Sequence, residues 1–128
     1  MNEVRRVLVI EDDRFLRRAC EAILRQRGFG VVAATDGEEG LRAARREAFD
    51  IILLDLIVPK KSGTDVLAAI RADEALKTTP VFILANSARD EDRRRALALG
   101  ANGYYVKANL SLRALGDDIA LLMHMGMP

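Results

Sequence analysis

Ile51-Ile52-Leu53-Leu54-Asp55 is an apolar run that ends in a carboxylate. It shows no alternation of polar and apolar residues, the mark of a strand covered on both faces, as in a parallel sheet flanked by helices. Two comparable runs stand upstream, Val7-Leu8-Val9-Ile10 and Val31-Val32-Ala33-Ala34. Two more follow: Val81-Phe82-Ile83-Leu84 after Pro80, and Tyr104-Tyr105-Val106. Between the runs the apolar residues follow helical spacing. Phe15, Leu16, Ala19, Cys20, Ile23 and Leu24 share one face, and Arg14, Arg17, Arg18, Glu21 and Arg25 the other. Gly28 is placed to stop that helix. Thr35-Asp36-Gly37 turns into a second helix carrying Leu41, Ala44 and Ala48. Pro59 to Gly63 reads as a loop, and a third helix presents Val66, Leu67 and Ile70 inward. A charged fourth helix is predicted from about Ala88 to Leu99, stopping at Gly100, and a fifth from Ser111 as N-cap to about Met123. Five strand–helix repeats predict an α/β fold, a doubly wound five-stranded parallel sheet with five helices, in one domain over residues 1–128.

Composition narrows the function classes. Half of the residues are apolar and the formal net charge is +1. Neither disorder nor direct nucleic-acid binding is expected from such a chain, since the latter needs a concentrated basic surface. One cysteine, Cys20, allows no internal disulfide, and a reducing compartment is the default. The Arg5-Arg6 pair is followed by only four apolar residues, so no signal peptide fits. No apolar run approaches the roughly 20 residues of a membrane span. A cytoplasmic protein without membrane contact is expected.

In an open α/β sheet, ligands bind beyond the carboxyl ends of the strands, where strand order reverses. Strand one delivers Glu11, Asp12 and Asp13 there, strand three Asp55, strand four Ala85-Asn86-Ser87 and strand five Lys107. Taken singly, each has a plain explanation: helix capping for the acidic pair, a turn for Asp55, solvent for the lysine. Converging on one rim, they point to chemistry. Clustered carboxylates repel one another unless a cation or protons relieve them. An all-oxygen set suits Mg²⁺, which uses one or two carboxylates plus phosphate oxygens. A lysine opposite the metal supplies the second positive charge for a transferring phosphoryl group, and a carboxylate is a competent nucleophile. The pattern reads as Mg²⁺-assisted phosphoryl transfer to a carboxylate.

These segments resemble the receiver domain of response regulators. Val7-Leu8-Val9-Ile10-Glu11-Asp12-Asp13 is similar to its opening. Asp50 to Gly63 is similar to its phosphoacceptor strand and following loop, and Gly100-Ala101-Asn102-Gly103-Tyr104-Tyr105-Val106-Lys107 to its fifth strand with the family lysine. The resemblance spans essentially the whole chain and implies a flavodoxin-like strand order, 2-1-3-4-5. It implies Asp55 as phosphoacceptor and Mg²⁺ held by Asp55, by Asp12 directly, by Glu11 through water and by the backbone carbonyl of Ile57. It further implies Lys107 on the phosphoryl oxygens, Tyr104 as the aromatic switch, and a histidine kinase or phosphotransfer protein as partner. The Pro59–Gly63 loop looks like that of single-domain receivers paired with phytochrome kinases. The expected function is a stand-alone two-component receiver without separate substrate turnover.

Two departures stand out. The family's switch Thr or Ser falls at Ala85, which has no hydroxyl; Asn86 or Ser87 is either a substitute donor or a loop cap. The family's proline after the lysine is Ala108, leaving a cis or trans Lys107–Ala108 bond open. If Ala85 disables switching, the alternative is a pseudo-receiver that binds partners without a working site. A flavin or dinucleotide protein is disfavoured, because the first strand ends in acids where a phosphate site needs backbone donors. Helix one carries Arg14, Arg17, Arg18, Arg25 and Arg27, with Phe15 as either docking anchor or core. The charges of helix four pair within the helix or across a homodimer, and the surplus apolar residues of helix five are a second candidate dimer surface.

Overall fold

In the computed structural model, residues 4–124 are described. The tail expected after the fifth helix, 125–128, lies outside the described residues. The elements run β1 (Arg6–Ile10), α1 (Arg14–Gln26), β2 (Gly30–Ala34), α2 (Gly37–Arg46), β3 (Ile51–Asp55), α3 (Gly63–Ala72), β4 (Val81–Ala85), α4 (Asp90–Ala98), β5 (Gly103–Val106) and α5 (Leu112–His124), with a 3₁₀ turn at Lys107–Asn109. All pairings are parallel, in the order β2-β1-β3-β4-β5.

The two-residue period of a strand sorts side chains between two cores. Val7, Val9, Ile51, Leu53, Phe82 and Leu84 pack with Cys20, Leu24, Leu115 and Ile119 from α1 and α5. Leu8, Ile10, Ile52, Leu54 and Ile83 pack with Leu41, Val66, Leu67, Ile70 and Ala96 from α2, α3 and α4. Each fully buried Leu or Ile contributes roughly 1.5–3 kcal/mol. Burial also pushes the Cys20 thiol up to about 12, in keeping with a packing residue.

Gly28 ends α1 at φ 89°, and the Phe29 N–H reaches the Leu24 carbonyl at 3.1 Å, as a left-handed helix stop requires. Ser111 caps α5 by accepting from the Ala114 N–H at 3.1 Å. One open alternative closes and two expectations need correction. Phe15, which shares the apolar spacing of α1, is 86 % exposed in the first turn of the helix, so the core alternative is excluded; Cys20 and Leu24 are the buried residues of α1. Ala48 is exposed and follows the end of α2 at Arg46. Helix α4 begins at Asp90 instead of Ala88, because the Ser87 hydroxyl accepts from the Arg89 N–H at 3.1 Å and keeps that turn non-helical. The Lys107–Ala108 bond is trans, since no cis peptide occurs among the described residues.

Away from the acidic rim, Arg71 closes the start of β4. Its guanidinium donates to the carbonyls of Gly100 (2.9 Å), Thr79 (2.8 Å) and Lys77 (3.2 Å) and to Asn102 Oδ1 (2.8 Å). Asn102 Oδ1 also accepts from the Val81 N–H at 2.9 Å.

At the other end, the N-terminus of α3 packs against the end of β3. Its Gly63 N–H donates to the Leu56 carbonyl at 2.9 Å, and a Cβ at Gly63 would overlap the Asp55 carbonyl oxygen and the Leu56 backbone. Gly63→Ala is therefore expected to destabilise the protein by about 2–4 kcal/mol, from overpacking against backbone that cannot yield. A urea midpoint matching the parent's would refute this.

Candidate functional site

Glu11 and Asp55 are carried to the carboxyl rim by adjacent strands. They are 0 % and 2 % exposed, whereas Asp12 is open to solvent. One oxygen from each of Glu11, Asp12 and Asp55 lies within 4.8 Å of the others. Lys107 enters from the end of β5, its Nζ 2.8 Å from Asp55 Oδ2 and 2.9 Å from Glu11 Oε1. Both are close ion pairs of the ammonium with a buried carboxylate, and the one with Asp55 is also a well-aligned hydrogen bond. The other Glu11 oxygen accepts from the Asp13 N–H at 3.0 Å. Asp55 Oδ1 accepts from the Ile57 N–H, also at 3.0 Å, while the Ile57 side chain is 71 % exposed.

Burial raises the Glu11 carboxyl from its ordinary range to about 7. The Asp13 N–H and Lys107 pull it down, and Asp55 pushes it back up. For Lys107, burial acts to lower the pKa, but its interactions with Asp55 and Glu11 prevail and hold it above the normal lysine range. The ammonium is thus a fixed positive charge between two carboxylates. The donor set fits a hard divalent cation: three carboxylates, all-oxygen ligands, converge beside a single lysine.

The local sequence explains the positions. Asp13 caps α1 by accepting from the Leu16 N–H at 3.0 Å, which turns Glu11 inward and leaves Asp12 outward. Arg17, which the sequence suggests is a solvated charge, donates to the carbonyls of Glu11 (3.2 Å) and Asp12 (3.1 Å) and holds the turn. Its spacing, one helical turn beyond the cap, was the available signal. On the far side, Asp36 caps α2 by accepting from the Glu39 N–H at 2.8 Å, and that bond is the main reason its carboxyl lies below the usual range.

Ala85 is buried at the end of β4 and lines a cleft of about 320 Å³ with Asp55, Ile57, Asn86, Ser87 and Tyr104. The Tyr104 hydroxyl donates to the Ser87 carbonyl at 2.8 Å. The Ser87 hydroxyl donates to Asp92 Oδ2 at 2.5 Å, so in this structure it caps the loop and does not face Asp55. Asn86 is exposed. Asp92 belongs to this arrangement and is missed by motif reading, since nothing in the charged run 89–95 singles it out. The exposed Phe15 stands in the first turn of α1, next to the acidic rim.

Residues 7–117 match the model of the response regulator receiver domain. The chain belongs to that family, the receiver modules of two-component signalling. It is 40 % identical over 102 residues to the transcriptional activator protein PfeR of Pseudomonas aeruginosa, covering 80 % of this chain and 32 % of that one. The chain thus spans about a third of that relative's length. Among solved structures, the phosphorylated cyanobacterial phytochrome response regulator RcpA superposes with a TM-score of 0.83 at 33 % identity, covering 94 % of each chain. The receiver domain of a sensor histidine kinase from Pseudomonas aeruginosa, with a magnesium ion coordinated in its active-site cleft, gives 0.83 at 30 % identity, covering 97 % of this chain and 99 % of that one. No helix among the described residues is long and apolar enough to cross a membrane.

Proposed function

We propose that this chain is a receiver module that accepts a phosphoryl group on Asp55 from a histidine kinase of the phytochrome type, or from a phosphotransfer protein. The convergence of Glu11, Asp12, Asp55 and Lys107 on one rim carries this reading. Asp55, Asp12, Glu11 and the Ile57 carbonyl would hold Mg²⁺, which offsets the negative charge of the incoming phosphoryl group. Lys107 supplies the second positive charge, pre-positioned at Asp55. In the transfer, a carboxylate oxygen of Asp55 forms the new bond to phosphorus as the bond to the phosphohistidine nitrogen breaks; the acyl phosphate remains on the chain. The complete set of charged groups favours this reading over a pseudo-receiver.

Incubation with a small-molecule phosphodonor tests it. With Mg²⁺, intact mass should rise by one phosphoryl group; with excess chelator the yield should fall at least roughly tenfold, since several kcal/mol of charge stabilisation are withdrawn. Equal labelling with and without the metal would overturn the metal assignment.

The cleft beside Ala85 has room for a hydroxyl. Ala85→Thr is expected to add a hydrogen bond to the acyl phosphate of about 1.5–3 kcal/mol. The amide shift changes on phosphorylation should then spread further along α4 and β5 than in the parent. Identical shift changes in the two proteins would exclude the effect.

A further inference from the structure

A second concave surface lies on the α2 face, about 470 Å³ in volume and lined by Glu38, Leu41, Arg42, Arg45, Arg46 and Lys61. We infer that this groove docks an acidic helical segment of a partner protein. The inference rests on the charge and shape of this face and not on the chemistry at Asp55.

Four cations face one carboxylate in the groove, although the chain as a whole carries only +1. Their internal partners are few and weak. Arg45 lies 3.5 Å from Asp73, and Arg46 lies 3.7 Å from its neighbour Glu47, both arginines being more than half exposed. Exposed pairs of this kind contribute at most about 1 kcal/mol. Among the described residues, Arg42 and Lys61 have no ion-pair partner. The groove's cations therefore remain available to an incoming anion.

The layout favours a helix over other anions. Glu38, Leu41, Arg42, Arg45 and Arg46 fall on one stripe of α2, the spacing that lets two helices lie side by side. Leu41, almost wholly buried in the core beneath α2, closes the base of the groove and leaves its charged walls to make the contacts. Guanidinium groups pair with carboxylates through two parallel hydrogen bonds, which suits Glu and Asp side chains at matching intervals. A nucleic-acid strand is less well served. The stripe runs along one helix of ten residues, roughly 15 Å, too short for the six to ten phosphate contacts of a typical DNA-binding surface.

The groove has a defined edge. Lys61 follows Pro59, whose carbonyl accepts from the Gly37 N–H at 3.1 Å, and Lys60 lies 3.5 Å from Asp36. A segment in the groove would therefore touch the loop that leads away from β3.

Fluorescence anisotropy with a labelled amphipathic peptide, Glu and Leu repeating at helical spacing, tests the inference. At low salt the full chain should bind it saturably. Arg42→Glu/Arg45→Glu should weaken binding at least roughly tenfold, Arg42→Gln/Arg45→Gln should weaken it less, and Arg18→Glu on α1 should leave it unchanged. The glutamine pair keeps the test valid if charge reversal disturbs folding, which circular dichroism would show. Absence of saturable binding, equal loss with Arg18→Glu, or tighter binding of a single-stranded oligonucleotide of equal charge would each overturn the inference.

Discussion

Asp55→Asn is expected to abolish the phosphoryl adduct, reducing labelling by at least roughly a hundredfold against the parent under identical donor and Mg²⁺ conditions. The amide is close in size to the carboxylate, so the buried position should keep its packing and the Ile57 N–H its acceptor. What disappears is the nucleophile: an amide oxygen has neither the charge nor the basicity to attack phosphorus, and nucleophilic catalysis depends on that activation. Lys107 keeps Glu11 as a charge partner, so the fold should survive with a modest loss. Circular dichroism would establish that the variant is folded. A full-yield adduct in Asp55→Asn would place the acceptor elsewhere, with the exposed Asp12 first in line, and would sink the proposal.

Glu11→Gln should make the metal-free protein more stable at pH 8 than the parent, by about 1–2 kcal/mol, and should give no advantage near pH 5. Burial raises the Glu11 carboxyl in the folded chain from 4.5 to about 7. A carboxyl with a raised pKa favours folding most when it is neutral. Its contribution is complete below 4.5, declines as pH rises from 4.5 to about 7 and is constant above. At 1.36 kcal/mol per unit the whole decline is on the order of 3 kcal/mol. The amide removes it but also removes one of the two anions beside Lys107, which is why the expected gain is smaller. Urea denaturation in chelator at the two pH values measures it. A Gln variant less stable than the parent at pH 8 would show that Glu11 is held as a stabilising anion by Lys107 and that desolvation is the lesser effect.

The architecture was legible because periodicity is a backbone property. Ile51 to Leu54 and Val81 to Leu84 have no polar face, and only a sheet covered on both sides accommodates them. The rim residues were equally legible, because each sits at a fixed offset from the end of a strand. What sequence did not show was direction. Nothing in the order Glu11-Asp12-Asp13 says that the first turns inward, the second outward and the third caps a helix; the Arg17 contacts and the cap bond decide that. Helical periodicity likewise put Phe15 on the apolar face of α1 and left anchor or core open, because periodicity reports an angle about the helix axis and not what packs against it. The Ser87–Asp92 hydrogen bond was hidden for a further reason: it joins a loop to a helix through two residue types that usually face water.

Arg71 gives the molecule two unequal poles. One side chain ties Gly100, Lys77, Thr79 and Asn102 together at the start of β4, while Asp55 and Ala85 lie at the opposite ends of β3 and β4. Slow hydrogen exchange should concentrate at the tied pole and faster exchange at the rim. For anyone redesigning specificity, that division sets the order of work: changes belong at exposed rim positions outside Glu11, Asp12, Asp55, Ile57, Gly63 and Lys107, and Arg71 is the residue such a library should leave untouched.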